Sequence, residues 1–598
     1  MHRLVPAVLA VATLLFAGCS EAERAGPSSR DPAEATAAPA AGTVERPPEA
    51  RWDALAERYV EEWLQAHPVF AVSVGRHEFD GMLPDWSAEG IRAEIERLKA
   101  FRAEVEAFDG ATLDEARQFE RRYLLSAIDR ALFWLDDAQW PFRNPNFYFD
   151  WFMDRIDPDI YASVPYAPVH ERMAAYIKFA GNLPGALAQI RANLRTPMPR
   201  TWVEQGLATF GGLASFMGDD IREAFGEVES RALWEQFDEA NGEAVAALEE
   251  LAAWFESLRE TATEDFAMGP ELYSRMLLKT QGLAIGLDDL ERIGREDLER
   301  NLEALEAACA EFAPEADGAA ACLAKMNARK PEGGAVAAAR AQLGVIKGFL
   351  VENRLVSIPG DEPVYVKAAP PHARTNFAYI NVAGPFDLGM PSTYYIAPPD
   401  PSWPEEEQRD YIPGQADLMS TSVHEVWPGH FVQFLHSNRA QSLIGRLFTN
   451  SAFVEGWAHY AEEMMWEAGL DGGLPGGRAE FRIGQINKAL YRNVRFLCAI
   501  GLHTQGMSVE ECDQMFREAA FQDPGNARQQ AYRGTYDPGY LNYTLGKIMI
   551  RRLRSDWTAE RGGREAWGAF HDAFLSYGGP PVPLLRETML GPDAGPAL

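Results

Sequence analysis

Positive charge is scarce in this sequence. Its 56 lysines and arginines are outnumbered by 88 aspartates and glutamates, leaving a formal net charge of -32. A chain of that sign repels phosphate backbones and anionic bilayer surfaces, so nucleic acid is excluded as a partner. Long apolar runs are equally rare. The only one extends from Leu4 to Phe16, shorter than the roughly 20 residues of a membrane-spanning helix. Cysteine is sparse too, with five in 598 residues, and none has the C-x-x-C spacing of a metal or redox site. No repeat of fixed period is present, which excludes a solenoid.

The N-terminal run has Arg3 before it and small residues after it, the layout of an export signal. Phe16-Ala-Gly-Cys19 resembles the bacterial lipoprotein cleavage box, so residues 1–18 read as a lipoprotein signal peptide and Cys19 as the lipidated first residue. An ordinary secretory peptide or an uncleaved anchor is the alternative. By resemblance to lipoprotein sorting rules, the lack of aspartate directly after Cys19 favours the periplasmic face of the outer membrane. The membrane is then touched through the N-terminal lipid only. Residues 19–50, rich in Ala, Pro, Ser and Glu, have too few large apolar side chains to fold and read as a disordered tether. Export also places Cys309, Cys322, Cys498 and Cys512 where disulfides persist. They fall into two closely spaced pairs, and both disulfides and buried thiols fit that pattern.

From residue 51 the texture is helix after helix, with apolar residues at three- and four-residue intervals in stretches such as RWDALAERYVEEWLQAH and RALWEQFDEANGEAVAALEELAAWFESL. The chain is expected to be mostly α. One region departs from this pattern: between about residues 362 and 401 the stretches VYV, FAYINV and TYYIA, bounded by Gly and Pro, predict a small β-sheet. It immediately precedes the most distinctive element of the sequence, and a strand edge there could hold an extended peptide.

That element is HEVWPGH, residues 424–430. It resembles the zinc-hydrolase signature H-E-x-x-H, but its second histidine arrives two residues late. Six residues of ideal helix turn through roughly 600°, which points His430 about 120° away from His424. Pro428 lacks an amide proton and its ring collides with the carbonyl of His424, while Gly429 permits unusual dihedrals. A break or a two-residue bulge is therefore expected here, returning His430 to the face of His424. A third ligand is sought downstream, where FVEGWAHYAEE places Glu455, His459 and Glu462 on one face of an apolar helix. Such charges are costly to bury unless paired or bound to a cation.

HEVWPGH followed by FVEGWAHYAEE resembles the bacterial "domain of unknown function 885" family, as does the stretch HPVFAVSVGRHEFD at residues 67–80. More distantly, FVEGWA resembles the F-V-E-x-P-S element of the thimet oligopeptidase and neurolysin family. That resemblance implies a large, two-lobed, helical metallopeptidase-like fold, with lobes at approximately 51–355 and 356–598 and the sheet next to the active-site helix. It also implies that Glu455 is the third zinc ligand. The segment DPGYLNYTLGK resembles the tyrosine-bearing segment of the same oligopeptidases, which implies that Tyr540 and Tyr543 close on substrate and stabilise the oxyanion.

The expected function is zinc-dependent hydrolysis of short peptides in the cell envelope. His424, His430 and Glu455 hold Zn2+, with His459 as the alternative to His430, and Glu425 is the general base. His459 and Glu462 are also candidates to orient ligands or contact substrate. Arg374 and Arg533 are candidate anchors for a substrate carboxylate, and His436 is a bystander. Two alternatives remain open: a non-catalytic envelope lipoprotein that binds peptides or glycans, and a zinc amidase acting on a non-peptide or cell-wall substrate.

Overall fold

The first helix, Pro48–Ala66, takes in the last residues of the expected tether. A proline in the first turn costs no hydrogen bond, because no carbonyl lies upstream to receive its N–H. The helix then buries Trp52, Leu55, Ala56, Tyr59, Val60, Trp63 and Leu64 along one stripe. The structure is a computed structural model describing residues 47–149, 154–370, 374 and 377–598. The signal peptide, Cys19 and the tether up to residue 46 lie outside the described residues. Helices dominate, so the protein is mostly α as expected. Among the described residues no helix is long and apolar enough to cross a membrane. Residues Pro48–Leu598 form one unit, in which helix Leu287–Phe312 of the first half packs along helix Gly477–Ile500 of the second.

The small sheet lies where the β-branched and aromatic stretches predict it. Its strands are β1 (Val364–Ala368), β2 (Ala378–Asn381) and β3 (Ser392–Ile396). Their order is β1-β3-β2, with β3 parallel to β1 and antiparallel to β2. The central strand β3 is mostly buried, while β2 is an edge with Tyr379 stacked on its register partner Tyr395. The Tyr394 hydroxyl lies 3.5 Å from the Ser422 hydroxyl, which ties the sheet to helix Gln415–Glu425.

Two helices cross with no side chain between them. An added Cβ on Gly456, in helix Ser451–Ala468, would lie 2.4 Å from the Gly546 Cα, and one on Gly546, in helix Asn542–Ala559, would lie 1.8 Å from the Ala452 carbonyl oxygen. Only glycine at both positions permits this approach. Next to the crossing is a buried ionic network. Asp297 accepts from Lys547 at 2.6 Å, from Asn493 at 2.8 Å and from Arg300 at 2.8 Å, and Arg300 also pairs with Glu463 at 2.6 Å. Lys547 is wholly buried. Both cysteine pairs are disulfides, Cys309–Cys322 and Cys498–Cys512.

Candidate metal centre

His424 lies one residue from the end of helix Gln415–Glu425, and His430 opens helix His430–Ser437. Between them the chain turns a corner. The N–H groups of Val426 and Trp427 return to the Ser422 carbonyl at 3.0 and 3.4 Å, and that of Gly429 to Val423 at 3.0 Å. Pro428 has no N–H to continue the ladder, and its peptide with Trp427 is cis. A Cβ on Gly429 would lie 1.7 Å from the His424 carbonyl oxygen, so no other residue fits there. The device is a complete break between two helices rather than a bulge within one. Its effect is the convergence expected from the sequence: the two imidazole centroids lie 4.7 Å apart.

Both Nε2 atoms face Glu455 Oε2, at 3.6 Å from His424 and 3.5 Å from His430. A tetrahedral ion with bonds of about 2.1 Å separates its donors by about 3.4 Å, close to these values. One ligand atom from each of the three residues lies within 4.8 Å of the others. Glu455 Oε2 is buried and accepts no hydrogen bond. An orphaned carboxylate oxygen between two imidazole nitrogens suits a cation better than it suits packing.

Consecutive residues of the Glu455 helix carry different parts of this geometry. Glu455 supplies the carboxylate, Gly456 allows the crossing with Gly546, and the Trp457 indole donates to the Pro428 carbonyl at 2.8 Å, holding the corner in place. One turn further on, Glu462 Oε1 lies 2.7 Å from His424 Nδ1. Glu462 is in turn paired with Arg492 at 3.0 Å and accepts from the Ser420 hydroxyl at 3.4 Å. A carboxylate on the outer imidazole nitrogen keeps the inner nitrogen available as a ligand. Burial and Arg492 oppose a charge on His424, but Glu455 and Glu462 outweigh them and raise its pKa to about 9. Burial works against the Glu455 and Glu462 anions as well. His430 and His424 nevertheless hold Glu455 well below the usual carboxylate range, and Arg492 with His424 does the same for Glu462.

His459 does not join the donor triangle. It is fully buried 3.5 Å from Glu462 Oε2, and neither ring nitrogen makes a hydrogen bond. Burial, Lys547 and Arg492 lower its pKa to about 3, so it is neutral. His430 therefore occupies the position for which His459 was the alternative. His436 is a bystander, with Nε2 on the Ser357 carbonyl at 3.0 Å.

The triangle opens into a cavity of about 1200 Å³. Glu425 lines it and makes no ion pair among the described residues. Phe377 and every residue of β2 contribute to the wall. Tyr543 lies beside the cluster, its ring 5.4 Å from the Arg492 guanidinium and 5.0 Å from that of Arg495. Burial and the Glu455 anion raise the Tyr543 pKa, so its hydroxyl keeps a proton to donate. Tyr540 is placed differently. It precedes helix Asn542–Ala559, so the spacing of three does not put the two tyrosines on one helical face. Its hydroxyl is packed 3.9 Å from the Cys512 sulfur, close to Gly534. Arg533 lines the cavity but is engaged by Asp537 at 2.8 Å. Arg374 donates to the Ala369 carbonyl at 3.1 Å and is not part of the cavity wall.

The family model described as "Bacterial protein of unknown function (DUF885)" matches residues 68–589. The chain belongs to this family. Among solved structures, this DUF885 chain is similar to a candidate lipoprotein of unknown function from Shewanella oneidensis, with 22% identity and a TM-score of 0.72 over 90% of this chain and 99% of that one. It is also similar to a candidate lipoprotein from Colwellia psychrerythraea, with 17% identity and a TM-score of 0.76 over 91% of this chain and 98% of that one. At such identities the likeness is one of fold. No curated protein matches the chain, and none of these comparisons shows the resemblance to the thimet oligopeptidases.

Sequence reasoning missed Arg492 and Arg495 of this DUF885 site. They stand three apart in helix Gly477–Ile500, within the almost wholly buried run Ala489–Ile500. Charge inside an apolar helix, the clue that flagged Glu455, would have found them as well.

Proposed function

We propose that the protein is a zinc-dependent hydrolase of peptide bonds in short peptides, held at the cell envelope by a lipid on Cys19. The observation that carries this reading is the Glu455 oxygen that makes no hydrogen bond between two imidazole nitrogens, in one cavity with a Glu425 that has no ion pair among the described residues. Two imidazoles and one carboxylate are the donor set of a catalytic zinc site, which leaves a position open. When bound, zinc would lower the pKa of water toward neutrality and polarise the substrate carbonyl.

The chain's own residues do the rest. Glu425 takes one proton from the attacking water as its oxygen bonds to the carbonyl carbon. It hands that proton to the amine as the C–N bond breaks, and ends as it began. The Tyr543 hydroxyl donates to the carbonyl oxygen, a bond that strengthens as negative charge gathers there. Glu462 and Arg492 keep the His424 ring in orientation. The free edge of β2 offers main-chain donors and acceptors to an extended peptide. A cavity of about 1200 Å³ slightly exceeds the roughly 300–1,000 Å³ of small-molecule sites, a size suited to short peptides rather than folded proteins. The description of both structural neighbours as candidate lipoproteins supports the anchor, and the residues after Cys19 favour the periplasmic face of the outer membrane.

The test pairs metal analysis with turnover. Purified protein should carry about one zinc per chain and cleave quenched peptides. Glu425→Gln should keep the zinc while kcat falls by roughly 10²–10⁴-fold. Wild-type protein that binds no zinc and cleaves nothing would leave a non-catalytic binding lipoprotein in its place. Zinc with cleavage of other amides but no peptide would point to a zinc amidase.

A further inference from the structure

Arg495 has no part in that mechanism, yet it lines the same cavity and is only 7% exposed. Its Nε donates to the Gln530 side-chain oxygen at 2.9 Å, and its guanidinium lies 4.4 Å from the Tyr491 ring and 5.0 Å from that of Tyr543. Among the described residues no carboxylate pairs with it. Its neighbours in the wall differ: Arg492 has Glu462 and Arg533 has Asp537. A buried guanidinium without a counter-ion is costly, and stacking on two tyrosines offsets only part of that cost. Its remaining donors form a planar fork that matches a carboxylate in two-point geometry.

Position narrows what the fork can meet. Arg492 touches His424 Nδ1 at 3.1 Å, and Arg495, one turn further along the helix, stands about 5–6 Å beyond it. An extended peptide covers about 3.3–3.6 Å per residue. A carboxylate seated on Arg495 therefore belongs to a residue one or two positions from the bond at the metal centre.

We infer that Arg495 anchors a substrate carboxylate, so that the substrates are short peptides bearing negative charge one or two residues from the scissile bond. The inference rests on the peptidase reading. The carboxylate is either the free C-terminus or an acidic side chain, and two peptide pairs separate these sources. One pair differs only in a C-terminal carboxylate against a carboxamide, the other only in an internal Glu against Gln. Wild type should favour the charged member of one pair by roughly 10- to 150-fold in kcat/KM, the range of a charge-assisted hydrogen bond. Arg495→Gln should bring that ratio to within about threefold of one, chiefly through KM. Arg495→Lys, which keeps the charge, should restore part of it, a rescue that a merely structural role would not give.

A wild-type ratio near one for both pairs overturns the anchor. So does an Arg495→Gln protein that slows both members alike and keeps the ratio. Should no peptide be cleaved at all, the peptidase reading falls by itself, and the same pairs are titrated by fluorescence anisotropy against wild type and Arg495→Gln. Preference for the charged member that vanishes in the variant upholds the anchor, and equal affinities sink it.

Discussion

Glu462 and Glu463 are adjacent on one helix, yet they serve two clusters of buried charge built on opposite plans. Glu463 belongs to the network of Asp297, Arg300 and Lys547, where Asp297 meets two cations and an amide, and Glu463 meets Arg300, at hydrogen-bonding distance. Glu462 braces the cluster of His424, His430 and Glu455, where a buried carboxylate oxygen meets no donor. Burial cost is the same kind of quantity in both places. In the first it is offset by hydrogen-bonded partners; in the second two imidazoles at 3.5 and 3.6 Å offset it without a hydrogen bond. On the proposed reading the first cluster holds the fold and the second takes the metal.

The comparison is broken most decisively at Glu455. Glu455→Gln should lower zinc affinity by more than the roughly 100-fold that loss of an outer partner costs, and hydrolysis with it. Stability of the metal-free protein should fall by less than the ~3–5 kcal/mol of a broken buried pair, because Glu455 faces its imidazoles at 3.5 and 3.6 Å without a hydrogen bond. Calorimetric titration of zinc beside denaturant unfolding measures both. A large loss of apo stability would make Glu455 a structural residue like Asp297.

The converse substitution comes next. Asp297→Asn leaves Lys547 buried without its partner and should destabilise the protein by about 3–5 kcal/mol. Zinc bound by the folded fraction should stay at the wild-type level. Urea unfolding followed by metal analysis of the soluble protein tests this, and loss of zinc without loss of stability would erase the distinction.

A smaller effect sharpens the contrast at a third site. His67 is 5% exposed between Asp154 and Glu94, with Nε2 at 3.1 Å from Glu94. Burial opposes its charge, but Asp154 and Glu94 raise its pKa from 6.5 to about 9. The folded value exceeds the unfolded one. The stabilisation is therefore complete below pH 6.5 and is lost as pH rises through 9. Wild type should lose about 3 kcal/mol more than His67→Gln between pH 6 and pH 9.5. Parallel thermal unfolding curves across that range would show that His67 is not charged in the fold.

Much of the site was legible because its residues violate a local pattern. Pro428 and Gly429 announce a helix break, and Glu455, His459 and Glu462 announce buried charge, while the choice of Glu455 among these three comes from the resemblance to the oligopeptidases. The sheet was legible for the opposite reason: VYV, AYIN and TYYI conform to strand chemistry. What stayed hidden depends on tertiary packing. Helical spacing could not separate Tyr540 from Tyr543, since the helix begins between them at Asn542. Nor could it show that Asp537 engages Arg533 while no carboxylate among the described residues reaches Arg495, because the partner of a cation is set by which helices meet.

The contact between Gly456 and Gly546 has a mechanical corollary. Glu455 adjoins one of these glycines and Tyr543 lies one turn before the other, so the proposed ligand and the proposed oxyanion donor are riveted to a single backbone joint with no side chain to act as a cushion. Neither can swing aside without parting the two backbones. Whatever breathing the chamber performs must be borne by its other walls.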